Sequence, residues 1–460
     1  MVEFNQKTLN AFITKARKPF EKQLAGLVKI PTVSADRNRK KDFEEAADLA
    51  TKILRELGAE AESVATEGQP VVVGSLGNES KYPTVLIYNH LDVQPADPAE
   101  WDHDPFSLTI TKDRYGGRGT TDDKGPALTA LYAVKYAREA SIPLNFRFVL
   151  EFEEEIGSPH FEKAIRSRKE MLQADSILVS DTVWVSREKP AIPFGLRGLV
   201  AATLSLETAS RESHSGLVGG AARNPLAELF ELVTRCVDPA TGEVKIPGFY
   251  DNVLAAGKDE IQGFLESGFK VAQFKRAHGL KSLRFKETQQ VLEAIWSRPT
   301  FEVHGMVGGY AGEGVKTVVP ARGEVKVSMR LVPRQDPKRI IGLLRDFVKE
   351  NNPDVKVKLE AVLEPYLASA TGAHLQAAVE AVSIGFQKPP ALVREGGSIG
   401  AAVSLNRLCK APVVFLGLSL PEHGYHAPNE YFEWCQVRGG IRTFAHYFDR
   451  ISKIPPVPSP

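Results

Sequence analysis

The sequence predicts an α/β fold, a mostly parallel sheet with flanking helices, interrupted by an inserted α+β unit with a four-stranded antiparallel sheet. Three observations predict it. Up to about residue 197, short apolar strands interleave with amphipathic helices, the pattern of a parallel layered sheet. From 199 to about 368, apolar and polar residues alternate more cleanly, as in antiparallel strands with one solvated face. From 369 the first texture returns. The chain therefore reads as one unit in two parts, 1–198 and 369–460, around an insertion at 199–368. Its 460 residues exceed what one core usually serves.

The elements follow in order. Residues 4–27 and 42–57 carry the apolar spacing of amphipathic helices. VVVGSL (71–76) and TVLIYNH (84–90) read as strands. GPALTALYAVKYARE (125–139) reads as a helix with Pro126 in its first turn, where a missing N–H is tolerated. In FRFVLEF (146–152), Phe146, Phe148, Leu150 and Phe152 alternate as in a buried strand, and SILVS (176–180) is another. The insertion supplies LVAATLSLETAS (199–210), TFEVHGMV (300–307), GEVKVSMRLV (323–332) and DVKVKLEAVL (354–363), with helices near 225–236, 286–297 and 336–349. A helix near 373–386, a strand in APVVFLGL (411–418) and a helix near 436–452 complete the chain. The tail IPPVPSP is expected to fray.

Bulk chemistry narrows the function. Lysine plus arginine (58) balances aspartate plus glutamate (57), which argues against a dedicated nucleic-acid binder. No apolar run is long enough to span a bilayer, and the N-terminus lacks the apolar core of a signal peptide. Cys236, Cys409 and Cys435 lie far apart without CxxC spacing, which suggests a reducing compartment and no thiolate metal site. The expectation is a soluble, cytoplasmic protein without membrane or nucleic-acid partners.

In an open α/β sheet, ligands collect beyond the carboxyl ends of the strands. There the sequence places His90 and Asp92, then Asp122 and Asp123 in GRGTTDDKG, then Glu153-Glu154-Glu155, Asp181, and His426 in HGYHAPNE. Each signal alone has a plainer reading, such as a helix cap, a solvated acidic face or a loop histidine. Together they describe imidazoles and carboxylates converging on one sheet edge. Such donors suit zinc, manganese or cobalt, and their excess over the needs of one ion suggests two. Two cations would also offset the repulsion within the glutamate run.

YNHLDVQP, GRGTTDDKG, EEEIGS, VSDT, REGGSIGAA and GYHAPNE resemble the signature segments of the co-catalytic zinc metallopeptidases, the family of carnosinases, bacterial dipeptidases, glutamate carboxypeptidases and aminoacylases. WDHDPF and PGFYDNV resemble its dipeptidase/carnosinase branch. The resemblance implies two divalent metal ions per subunit, zinc first and manganese or cobalt as substitutes. His90 and Asp181 would hold one, Glu155 and His426 the other, and Asp122 would bridge them. It further implies that Asp92 orients His90, that Glu154 is the general base, and that the Asp122–Asp123 peptide is cis. In the insertion, His214 would reach a partner subunit's active site in a homodimer formed through the lid. Arg330 would grip the substrate's carboxylate, with Thr317, Gly397 and Ser398 as further contacts. The implied reaction is hydrolysis of a dipeptide with a free C-terminal carboxylate. Alternatives are an N-acyl-amino-acid deacylase using the same chemistry and an inactive small-molecule-binding relative. Glu153 is left as a solvated or supporting carboxylate.

Overall fold

The computed structural model describes residues 5–369 and 371–456, so Phe4 and the last four residues of the proline-rich tail lie outside it. The central sheet has six strands in the spatial order Glu60–Val64, Val71–Leu76, Asn145–Glu151, Thr84–His90, Ser176–Val179 and Val413–Phe415. The last four are mutually parallel, whereas Val71–Leu76 runs antiparallel to both its neighbours. Parallel strands need both faces covered. Gln6–Lys29, Lys40–Glu56, Lys124–Glu139, Ala373–Phe386 and Trp434–Ile451 cover one face, and Phe161–Arg166 and Gly400–Cys409 the other. The alternation in FRFVLEF is physical: Phe146, Phe148, Leu150 and Phe152 join the first core, and Val149 points into the second. Because four strands share one direction, their carboxyl ends, including His90, share one edge.

The insertion's sheet has the order Thr300–Gly308, Arg322–Leu331, Gly198–Glu207, Lys356–Leu363, antiparallel throughout. Val200, Ala202, Leu204 and Leu206 recur every second residue and pack on Leu229 and Leu232 of Pro225–Cys236 and on Ile340 and Leu344 of Pro337–Asn351. That is the period-2 and helical patterning meeting in one core.

Local patterning did not foretell a third sheet. Tyr366–Leu367, Ala191–Leu196 and Ala391–Glu395 pair in that order, the first pair antiparallel and the second parallel. Pro193 and Gly195 speak against a strand in isolation, which is why AIPFGL is hard to read as one. Both chain crossings between the two larger units pass through this sheet: Ala191–Leu196 runs through Arg197 into Gly198–Glu207, and Lys356–Leu363 returns to Tyr366–Leu367. The crossings touch closely, since a Cβ on Gly198 would lie 2.5 Å from Leu363 O and 2.7 Å from Pro365 N. Helices Lys258–Glu266 and Thr288–Trp296, although within the inserted stretch of sequence, send Phe264, Leu292 and Trp296 onto Ala191, Ala391 and Val393. Part of the insertion thus packs on the first unit. Among the described residues, no helix is long and apolar enough to cross a membrane.

Candidate metal centre

The acidic run 153–155 follows a strand that ends at Glu151, and the backbone turns at once into a 3-10 helix, Glu154–Ile156. This turn frees Glu154 and Glu155 from strand alternation. The carboxylate of Asp92, itself fully buried, fixes the turn by accepting from the Glu154 N–H (3.2 Å) and the Glu155 N–H (3.0 Å). Asp92 meets His90 mainly through its backbone carbonyl, 3.1 Å from Nδ1, with its carboxylate oxygen at 3.4 Å. Glu153 takes a separate path: it is buried, with His160 Nδ1 at 2.8 Å and the Gln69 N–H at 3.0 Å. A solvated role for it is excluded.

Asp122 lies between two groups of donors, His90–Asp122–Asp181 and Asp122–Glu155–His426, and within each the candidate ligand atoms lie within 4.8 Å of one another. One Asp122 oxygen serves each group. Oδ1 is 3.0 Å from His90 Nε2, which is 3.7 Å from Asp181 Oδ2. Oδ2 is 2.9 Å from His426 Nε2, which is 3.1 Å from Glu155 Oε2. Asp122 Oδ2 is buried, and its 2.9 Å contact with His426 Nε2 is not aligned as a hydrogen bond, so it remains an acceptor of the kind a cation satisfies. The Asp122–Asp123 peptide is cis. Gly125 allows the loop to close over the helix start, since a Cβ there would lie 2.1 Å from Thr120 O.

The electrostatics tell the same story of missing positive charge. Burial, then the charge of Asp181, pushes Asp123 up. Burial drives Glu154 well above the carboxylate range, with Asp181, Glu155 and Asp92 adding to it against His90. Glu155 and Asp181 are raised too, chiefly by burial. Burial works against a charge on His426, but Asp122 and Glu155 outweigh it and push its pKa up to about 11. Burial likewise works against a charge on His90, and Asp122, Asp92 and Asp181 outweigh it and raise its pKa. Imidazoles whose pKa is raised by crowded acids mark positions where divalent cations fit, and the mixed nitrogen and oxygen donors suit such ions.

Residues 86–450 match the model of the peptidase family M20/M25/M40. The chain belongs to that family. A Cys-Gly metallodipeptidase of Schizosaccharomyces pombe is 32% identical over 468 residues, covering 96% of this chain and 98% of that protein. The β-Ala-His dipeptidase of Mus musculus is 32% identical, covering 91% of this chain and 89% of its own. Among solved structures, the dipeptidase Dug1p of Saccharomyces cerevisiae matches with a TM-score of 0.89 at 26% identity, over 98% of this chain and 99% of that one.

Around the two groups, this M20 member carries supporting residues that the sequence did not single out. Tyr425 OH donates to Asp181, and its ring stacks on His426. Gln94 Nε2 donates to Glu155 Oε2 at 2.8 Å. Asn89 Nδ2 donates to Asp123 Oδ2 and Ser180 Oγ, both at 2.6 Å. Glu430 is fully buried and accepts from Arg118 Nη1 (2.9 Å) and from the N–H groups of Gly119 (2.9 Å), Thr121 (2.8 Å) and Asp122 (3.1 Å), so one carboxylate holds the loop that presents Asp122. All four stand within four residues of a candidate ligand in the chain, the one signal that could have found them.

The insertion's candidates fall into two places. Arg330 Nη1 donates to Ser398 Oγ at 3.0 Å, and Glu154 lies near enough to oppose the lowering of the Arg330 pKa by burial. Gly397, exposed, is next to Ser398 in the loop after Ala391–Glu395. His214 and Thr317 are exposed and adjacent across the short Ser213–His214 and Val318–Val319 pair, where His214 Nδ1 accepts from the Gly216 N–H at 2.9 Å. Within the described residues, His214 makes no hydrogen bond to either donor group.

Proposed function

We propose that this chain is a dinuclear metal-dependent dipeptidase that cleaves the amide bond of dipeptides with a free C-terminal carboxylate. The observation that carries the reading is Asp122, one oxygen toward each histidine-bearing group. The near-full-length similarity to a Cys-Gly metallodipeptidase and a β-Ala-His dipeptidase supports the substrate class. His90 and Asp181 would hold one cation, Glu155 and His426 the other, and Asp122 both. Zinc is the first choice by donor set, with manganese or cobalt able to replace it. When bound, the pair supplies Lewis acidity and a lowered water pKa.

The chain's own residues do the rest. Glu154 takes the proton of the attacking water and returns it to the leaving amine nitrogen, a role suited to a carboxylate whose basicity burial raises. Asp92 holds Glu154 and Glu155 at the turn through their N–H groups. Arg330 and Ser398 meet the substrate's carboxylate, with Gly397 and Thr317 as further contacts, and a forked guanidinium suits that group. His214 donates to the developing oxyanion from the partner subunit of a homodimer formed through the 199–368 unit, which acts as a lid on the catalytic unit of 1–198 and 369–460. The unpaired cysteines support a cytoplasmic setting.

The test is a panel of dipeptides and N-acetyl amino acids with protein loaded in turn with zinc, manganese and cobalt. Hydrolysis of dipeptides over N-acetyl amino acids is expected. The reverse preference would make the chain a deacylase. Absence of both metal binding and hydrolysis would make it a binding protein.

A further inference from the structure

Arg197 has no part in the reaction as described, yet it joins three elements beside the carboxylate-binding residues. It is the single residue between Ala191–Leu196 and Gly198–Glu207, at a crossing between the two larger units. Its N–H donates to Gly397 O (3.1 Å), and its Nε donates to Gly396 O (3.1 Å). Its own carbonyl accepts from the Ser398 hydroxyl. Its Nη1 reaches Ala294 O in Thr288–Trp296 at 3.3 Å. The loop 396–398 is therefore fastened to Arg197 at three successive residues, and the Ser398 oxygen fastened this way is the one Arg330 touches.

Gly396 is shaped to this contact, since a Cβ there would lie 2.9 Å from Arg197 Nη2 and 3.0 Å from Ile295 O. The charge balance is the second observation. The buried arginines Arg118 and Arg394 are paired, with Glu430 and Glu260, whereas buried Arg147 donates to the Gly77 and Phe146 carbonyls. Among the described residues, neither Arg197 nor Arg330 has a carboxylate within ion-pair distance. Burial lowers the pKa of Arg197 to about 10, with the charge of Arg330 adding to the effect and Glu302 opposing it. Two neighbouring cations with no carboxylate in direct contact disfavour each other and favour an incoming anion.

We infer that Arg197 is a positioning residue of the substrate-carboxylate subsite: it fixes the Gly396-Gly397-Ser398 loop so that Ser398 and Arg330 converge on one anion, and it adds a second positive charge behind them. This rests on the reading that the substrate carries a free carboxylate, which dipeptides and N-acyl amino acids share. Because Arg197 also holds Thr288–Trp296, it ties this subsite to the helices packed over the crossing.

The experiment compares Arg197→Met and Arg197→Lys with wild type on a dipeptide and on the same dipeptide with a C-terminal amide. The methionine variant is expected to raise KM for the free dipeptide by about tenfold or more, with kcat held within about threefold and the amide little affected. The lysine variant, which keeps the charge and loses the fork, should recover part of the loss. Gly396→Ala, which presses on Arg197 from the loop side, should reproduce the split and serves if Arg197→Met does not fold. An equal loss on both substrates, or a loss in kcat alone, overturns the inference. Calorimetric binding of free alanine to metal-loaded wild type and to the same variants separates the two levels. Weaker alanine binding in the variants with no hydrolysis by wild type would sink the dipeptidase reading and keep the role of Arg197. Unchanged alanine binding would sink that role whatever hydrolysis shows.

Discussion

Asp92→Asn perturbs the site through its smallest part. The Asp92 carboxylate accepts two backbone N–H groups, at 3.2 Å from Glu154 and 3.0 Å from Glu155, and is fully buried. Asparagine is nearly the same size but has one acceptor oxygen, and its amide nitrogen would face an N–H. One charge-assisted hydrogen bond is then lost, worth about 1.5–3 kcal/mol, or roughly ten- to hundredfold at about 1.4 kcal/mol per decade. The loss falls on the turn that carries both the proposed base and a proposed ligand. Misplacing a reacting group by about 1 Å costs on the order of a hundredfold in rate, and disturbing a supporting residue of a metal site costs about 10–100-fold in metal affinity. The expected outcome is a kcat lowered by about one to two decades together with weaker binding of the cation held by Glu155. The assay pairs dipeptide hydrolysis at saturating zinc with titration against a competing chelator. If both kcat and zinc affinity stay within threefold of wild type, Asp92 does not organise the turn.

Three further outcomes are expected. Glu154→Gln should lower turnover by about a hundredfold to ten-thousandfold while elemental analysis still finds two metal ions per chain, and loss of metal instead would move Glu154 into the ligand set. Asp122→Asn should leave one of the two groups short of an anionic oxygen, so metal content should fall to one ion or fewer per chain, read by the same analysis. Burial would raise the pKa of Glu433, but His423 and Arg187 more than offset it and hold it at about 2. A folded pKa below the unfolded one means that Glu433 stabilises the fold fully above the unfolded value, about 4.5, and that this is lost as pH falls towards 2. Urea titration between pH 5 and 2 should therefore show Glu433→Gln less stable than wild type by roughly 1–3 kcal/mol at the upper end, with the gap closing at the lower.

Much of the candidate site was legible because its residues follow local rules. Thr84–His90 and Ser176–Val179 announce themselves by apolar runs, and a parallel sheet must bring the residues beyond their ends to one edge. The chain alone thus brings His90, Asp122, the run Glu153-Glu154-Glu155, Asp181 and His426 to one edge, while the choice of Glu155 within the run rests on the family resemblance. The third sheet and the helix Lys258–Glu266 were not legible: Pro193 and Gly195 mask one strand, and the helix is short and carries a mid-helix glycine, Gly263.

What the sequence by itself determined is which residues stand at the strand ends and which chemistry they can perform, because dihedral preference and burial periodicity are properties of neighbours in the chain. Only the tertiary structure decided how they share the work. It gave each Asp122 oxygen its own histidine, turned Glu153 away to His160, set Asp92 against the backbone of the glutamate run, and bound Thr121 to Glu430 across 309 residues. It also set Arg197 against a loop 200 residues further along. These pairings arise from packing between distant segments, where a buried polar group must find whichever partner the fold brings to it, and no local pattern encodes that partner.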